Sequence, residues 1–296
     1  MANSLGTITP VLIAQEALPI LTDLFPIVKA FVTDFSNDAV LFNQTVYSRI
    51  PTVGTAQSYD TTNGYVPATG TLTDVPVTIN QHKHASLAFN DQEVASTNLN
   101  LVEQFATDLA AQMGNDIMSS VAALFTSGNY SSVVALTGVP INRVNGIVAA
   151  RQILEANKVP TNDRYFITSP VTEAQLLADE SIVKLTWGAQ GVSEAGIPPI
   201  HGFSFGNYTS LPTTGGLCAV ALQKASVVIA SRSPELPQDN GIAVPAKITN
   251  VTDPKTGLTL QVREFYLPAL GKYQVTYTWM YGTAVGSAKS LVRITS

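Results

Sequence analysis

An α+β fold is what the sequence predicts, on three observations. A run from Val75 to Phe89 alternates with period two, the stretch from Val102 to Phe125 repeats with period 3.6, and the last third returns to strict alternation around Tyr273 to Tyr281. The 296 residues are enough for one to three domains with a sizeable core. Charged residues are only 12% while the apolar fraction, 45%, is ordinary, so much of the polar surface is Thr, Ser, Asn and Gln. Sixteen basic against 21 acidic residues give a net charge of -5, and no segment gathers Lys and Arg into a run, which argues against sequence-specific nucleic-acid binding. A single cysteine excludes an intramolecular disulfide scaffold.

The apolar stretch from Val11 to Phe25 is interrupted by Glu16 and Asp23, and the first basic residue is Lys29. It therefore reads as an arm lying on another surface, its own or a neighbour's, rather than a signal peptide or membrane span. Thr45 to Pro51 is a candidate strand, and Val75 to Phe89 a second, with Val75, Val77, Ile79, Lys83, Ala85, Leu87 and Phe89 on one face. Between them lies a segment rich in Gly, Thr and Tyr, so the two strands form a long excursion. An isolated two-stranded hairpin is marginal in water and needs something to lie on. Asn90 and Asp91 can start a short helical turn. The long amphipathic helix follows, with Asn100 and Glu103 as a capping pair and Gly128 as a stop, spanning roughly 38 Å at 1.5 Å per residue.

In the middle third a helix over Asn145 to Asn157 turns at Pro160 into a strand from Arg164 to Ser169, and Pro170 suits the first turn of another helix, Val171 to Leu177. Gly202 to Phe205 reads as extended, and Leu217 to Leu222 as a strand buried on both faces. At the end, Leu258, Leu260 and Val262 pair across the Pro268 to Gly271 turn with the strand carrying Tyr273, Val275, Tyr277, Trp279 and Tyr281.

Candidate chemistry is thin. His82 and His84 sit two apart on the polar strand face beside Thr78 and Asn80, and only Asp74 or the distant His201 could be a third ligand, so solvent-facing histidines are the expectation. Cys218 with His201 as base is a conceivable hydrolase pair, but its neighbours Leu217, Ala219 and Val220 make it a small core residue. Phosphate-binding glycine loops are absent, since Gly191, Gly196 and Gly202 are too widely spaced, and the pairs Asp179-Glu180 and Asp108 with Asp116 read as solvated. The expectation is no catalytic, cofactor or metal site. What the residues do show is a surplus of extension, an arm and a hairpin too thin to own a core, and reciprocal contacts among many copies would bury them.

Several local phrases then occur in a telling order: Ile153-Leu154-Glu155-Ala156-Asn157-Lys158-Val159-Pro160 with Arg164 to Pro170, Ile200-His201-Gly202-Phe203 with Ser210-Leu211-Pro212, Ala219 to Ala230 leading to Arg232-Ser233-Pro234-Glu235, Gly257 to Arg263, and Met280 to Val285. Together they resemble the major capsid proteins of tailed bacteriophages, those with the Hong Kong 97 fold. The resemblance implies an amino-terminal arm over 1–38, an extended loop over 39–89, a spine helix region over 90–130, an axial domain over 142–230 with Ala219 to Ala230 as a strand and helix, and a peripheral domain from 131–141 and 231–296. It further implies a homo-oligomer of pentamers and hexamers tiling an icosahedral shell in the virion, assembled in the host cytoplasm around double-stranded DNA touched only non-specifically. A portal, a separate scaffolding protein and decoration proteins are the expected partners, with no membrane, and scaffolding is expected to be separate because the chain starts directly with the arm. Leu18, Leu21, Phe25, Tyr59, Tyr65 and Val66 are the candidate inter-subunit contacts. An encapsulin-like nanocompartment around a cargo enzyme is the alternative reading.

Some members of that family crosslink through a lysine in the extended loop. Here no lysine lies between Lys29 and Lys83, which sits at the strand base. Mature shells are therefore expected to dissolve to monomers on a denaturing gel; a ladder of covalent oligomers would contradict this.

Overall fold

The computed structural model describes residues 26–40, 42–52, 58–65, 71–96, 101–136, 143–178, 197, 199–235, 247–252 and 259–296. The apolar arm and the Asp179-Glu180 pair lie outside them. Thirteen strands are described: β1 (Val32–Val40), β2 (Thr45–Thr52), β3 (Thr71–Thr78), β4 (Gln81–Asn90), β5 (Val133–Ala135), β6 (Arg164–Thr168), β7 (Ser204–Asn207), β8 (Leu217–Gln223), β9 (Val227–Pro234), β10 (Lys247–Thr252), β11 (Thr259–Leu267), β12 (Lys272–Val285) and β13 (Leu291–Thr295). The helices are α1 (Asp91–Ser96), α2 (Leu101–Ala122), α3 (Arg143–Ala156) and α4 (Pro170–Leu177).

Two larger sheets organise these elements. In the first, β12 is the hub: β4 pairs with it over Lys272 to Tyr281, β11 over Lys272 to Thr278 and β9 over Met280 to Val285, with β1 and β10 outside. The second runs β5-β13-β8-β6-β7. Strict alternation on β12 turns Val275, Tyr277, Trp279 and Tyr281 toward the core they share with Leu109, Met113, Ile117 and Val121 of the long helix α2. Ile167, Val220, Leu222 and Leu291 of the five-stranded sheet join the same core, so one apolar layer ties both sheets to the helix. The other face of that sheet carries a second core, in which Phe166, Ala219, Ala221 and Val292 meet Ile147, Ala150 and Leu154 of α3 and Leu176 of α4.

Local chemistry explains the ends. Asn90 and Glu93 form a reciprocal cap on α1: the Glu93 amide donates to Asn90 Oδ1 at 2.7 Å and the Asn90 amide to Glu93 Oε2 at 3.0 Å. Ser169 caps α4 ahead of Pro170, accepting from the Thr172 amide. The buried Arg164 donates to the carbonyls of Val159 at 2.7 Å and Pro160 at 2.9 Å, pinning the turn between α3 and β6.

Four sequence expectations change. The single strand from Val75 to Phe89 is two strands, because the chain leaves β12 after Gln81 and bends at Ile79 and Asn80. The helix α2 ends at Ala122, six residues before Gly128, and continues as turns. Val227 to Ala230 is strand rather than helix, since this β-branched run pairs with β1 on one side and β12 on the other. Val133–Ala135 and Leu291–Thr295, expected with the last third of the chain, pair with each other, and Leu291–Thr295 also pairs with β8, so both belong to the five-stranded sheet.

The hairpin β2–β3 is anchored by a close crossing. A Cβ at Gly282 would lie 2.1 Å from the Thr78 carbonyl oxygen, so the strand passes over β12 only because residue 282 has no side chain. Beyond the crossing, Val75 and Val77 pack on Val228 and Ala230 of β9, and Ile79 packs on Met280. Gly282→Ala should therefore lose about 1–3 kcal/mol in urea unfolding of the unassembled subunit; unchanged stability would show that the crossing is not tight.

Candidate assembly surface

The hairpin runs from its crossing to a tip at Ser58 to Tyr65. Eight consecutive residue pairs join β2 to β3, from Thr45 opposite Thr78 to Thr52 opposite Thr71, which at about 3.3 Å per residue already carries the chain some 25 Å from its root. At the tip, Asp60 and Gly64 bridge and Gly64 takes a positive φ of 70°. Asp60 closes the turn: its Oδ1 accepts from the Thr62 amide at 2.8 Å and its Oδ2 from Asn63 Nδ2 at 2.7 Å. These bonds, the Thr62 amide foremost, hold the Asp60 carboxyl below the usual carboxylate range. The rings of Tyr59 and Tyr65 meet edge-to-face with centroids 5.1 Å apart, yet the residues are 62% and 91% exposed. Two aromatic side chains so presented form an exposed apolar surface with a polar hydroxyl on each ring. Tyr47 on β2 is exposed as well. Of the candidate contacts, Tyr59 and Tyr65 are brought together; Leu18, Leu21, Phe25 and Val66 lie outside the described residues.

A polar network missed by the sequence reading fixes the base of the projection. Lys83 on β4 reaches across to Asp116 of α2, with Nζ 3.2 Å from Oδ1. Tyr281 of β12 donates its hydroxyl to Asp116 Oδ2 at 2.5 Å, and the same hydroxyl lies 2.8 Å from Ser120 Oγ. Burial, and then the bond to Asp116, pushes the Tyr281 phenol well above its ordinary value, so it remains a donor. Asp116 thus joins the long helix to two strands of the sheet. The sequence signal was there in Lys83, the one charged residue on an otherwise apolar strand face, whose opposite charge had to come from the helix packed on it.

The histidines and the cysteine serve no shared chemistry. His82 Nε2 lies 2.9 Å from Thr278 Oγ1, and burial, then Arg263 and His84, lowers its pKa and favours the neutral ring. His84 is exposed on the same face, and among the described residues no group of three or more His, Cys, Asp or Glu side chains is arranged to hold a metal. Cys218 is buried in the core under α3 and donates its thiol to the Ile294 carbonyl at 3.3 Å, whereas His201 is exposed at the turn between Ile200 and Phe203.

Comparison with known proteins follows the geometry. A family model described as phage capsid protein matches residues 73–294. Among solved structures, the chain is similar to the capsid of Cyanophage P-SCSP1u, at a TM-score of 0.62 and 11% identity over 90% of this chain and 86% of that one. It is similar also to Mycobacterium phage Che8, with a TM-score of 0.53 and 15% identity over 88% and 95%. A virus-like particle from Pyrococcus furiosus gives 0.52 and 8% identity over 95% and 96%. No curated protein matches the sequence.

The Asp116 network makes a measurable claim. Asp116→Ala removes the bonds to Lys83 and Tyr281, leaving the ammonium to solvent and the hydroxyl to Ser120, and should cost about 1–2 kcal/mol, while Tyr281→Phe costs about 1 kcal/mol. The double variant should lose less than the sum, because both substitutions remove the same bond; strict additivity in denaturant titrations would dissolve the network into independent contacts.

Proposed function

The chain belongs to the phage capsid protein family, and from that membership we propose that it is the major capsid protein of a tailed phage, assembling as pentamers and hexamers into the icosahedral head shell around the genome. It is a structural protein with the Hong Kong 97-type fold and not an enzyme. The observation that carries the assembly reading is the tip pair Tyr59 and Tyr65, exposed at the end of a hairpin with no core of its own.

In this reading the hairpin lies over a neighbouring subunit, and Tyr59, Tyr65 and Val66 contact it, as do Leu18, Leu21 and Phe25 of the arm. The strand pairing supports assigning 131–136 and 291–296 to the axial unit with 142–226, and β9 with the rest of the six-stranded sheet to the peripheral unit. Each interface is weak. Apolar burial contributes about 25 cal/mol per Å², and association and ordering costs offset much of it, so stability comes from many contacts in a closed shell. A subunit with few charges suits this, because each desolvated ion would cost several kcal/mol. With a net charge of -5 the chain meets packaged DNA by diffuse contacts rather than a binding site. A portal, separate scaffolding and decoration proteins complete the head, which is built in the host cytoplasm. The family match favours a genome shell over a nanocompartment; the likeness to the Pyrococcus furiosus particle concerns the fold alone.

Electron microscopy of purified protein across a concentration series, with and without a co-expressed scaffolding protein, should show closed shells of uniform diameter. Monomers under every condition would overturn the reading. Tyr59→Ala with Tyr65→Ala should abolish or sharply reduce shells while changing subunit stability by no more than about 0.5 kcal/mol per site, as for exposed positions elsewhere; normal shells from that variant would remove the tip from the interface.

A further inference from the structure

The same tip carries chemistry of its own. Asn63 is exposed and is followed by Gly64, which lacks a Cβ and so leaves its backbone nitrogen unhindered. A Cβ placed on Gly64 would meet nothing within 4 Å, so the glycine serves the positive φ of the turn rather than a packing need. An asparagine amide carbon next to an unhindered peptide nitrogen is the arrangement in which a chain can cyclise on itself.

We propose that Asn63–Gly64 is a latent self-modification site that Asp60 holds closed. In the reaction the Gly64 nitrogen bonds to Asn63 Cγ, the Cγ–Nδ2 bond breaks, and ammonia leaves carrying the Gly64 amide proton. Water then opens the five-membered succinimide to aspartate or isoaspartate. No oxidant, reductant or enzyme is needed.

Both reacting groups are engaged by one residue in the folded turn. The Gly64 N–H donates to the Asp60 carbonyl at 2.8 Å, which keeps the would-be nucleophile bound to its proton. The Asn63 amide nitrogen donates to Asp60 Oδ2 at 2.7 Å, which holds the side chain away from its own backbone. A third bond, from the Thr62 amide to Asp60 Oδ1, keeps the carboxylate itself in place. Attack requires the first two bonds to break together, so the turn sets the rate. The product places a second carboxylate beside Asp60 and removes the donor that Oδ2 had, so a tip once modified cannot return to the same closed form.

The sequence contains two further Asn-Gly pairs, and Asn145–Gly146 lies within the helix Arg143–Ala156, where the backbone is held by the helical ladder, which makes it an internal reference. The test is peptide mapping of the full-length protein held in mildly alkaline buffer, with mass spectrometry and chromatographic separation of aspartyl and isoaspartyl peptides. Asp60→Ala should raise the rate at Asn63 about tenfold, the factor that about 1.4 kcal/mol of barrier represents, and leave the rate at Asn145 unchanged. Unfolding the wild-type protein in urea should raise the Asn63 rate in the same way, and Asn63→Gln should abolish the signal. Equal rates at Asn63 in wild type and Asp60→Ala, no reaction there in Asp60→Ala, or equal rates in folded and unfolded wild type would each overturn the proposal.

Discussion

The Thr78 carbonyl lies where a side chain at residue 282 would begin, and the whole projection hangs on that close passage. On one side of the crossing the chain is β4, a strand of the six-stranded sheet bonded to β12 from Asn90 to Gln81. On the other it is a two-stranded ribbon, with Val75, Val77 and Ile79, and Val46 beside Ile79, seated on the sheet. The change from sheet to ribbon therefore occurs over two residues, and Gly282 is what lets it happen without tearing β12 away from β9. A second glycine does the same where the two sheets join: a Cβ at Gly286 would lie 2.3 Å from the Ala225 carbonyl, and Gly286 and Ser287 donate to Ser226 and Ala225 across that seam.

The Asp116 network complements this crossing. Apolar packing between α2 and β12 is strong but not directional, and by itself would let the helix slide along the sheet. One carboxylate bonded to Lys83 and Tyr281 supplies direction, since both partners sit on strands whose register is fixed by pairing. The helix, the strand that becomes the hairpin and the central strand are thus indexed to one another at a single point. The ion pair is only partly buried, so its desolvation cost is moderate and its acceptor capacity is well used.

How much of this was legible depended on whether the information is local. Faces were legible in part: the alternation from Val75 to Phe89 assigned the buried side, and the 3.6 period placed Leu109, Met113, Ile117 and Val121 on the core face of α2, but on β12 the face opposite Tyr277 and Trp279 is buried as well, at Thr276, Thr278 and Met280. A helix start was legible too, at Pro170, whereas Asn100 of the expected capping pair lies outside the described residues. Partners were not, because a period states which face is apolar and not what covers it. Val133–Ala135 and Leu291–Thr295 carry no local sign that they pair with each other across more than 150 residues. Val227 to Ala230 is helix in the resemblance yet strand in the fold, in keeping with its β-branched run, and the strands that complete it come from opposite ends of the chain. At the candidate surface the aromatic pair could be chosen from composition, but the Asp60 turn that shapes it rests on hydrogen bonds that periodicity does not encode.

That turn bears on how a thin projection can bind at all. A flexible ribbon loses conformational freedom when it docks, at about 0.5–1.5 kcal/mol for each side chain that becomes immobile. Here much of that ordering is already complete in the subunit: Asp60 fixes Thr62, Asn63 and Gly64, and Tyr59 and Tyr65 hold each other edge-to-face before any partner arrives. The rings gain from burial while adding little new order, which is how a small apolar patch contributes net affinity in the proposed shell. The arrangement also explains why the tip is polar around its aromatic pair: the hydrogen bonds that shape it are spent within the turn, and a free subunit exposes two rings rather than a long sticky edge.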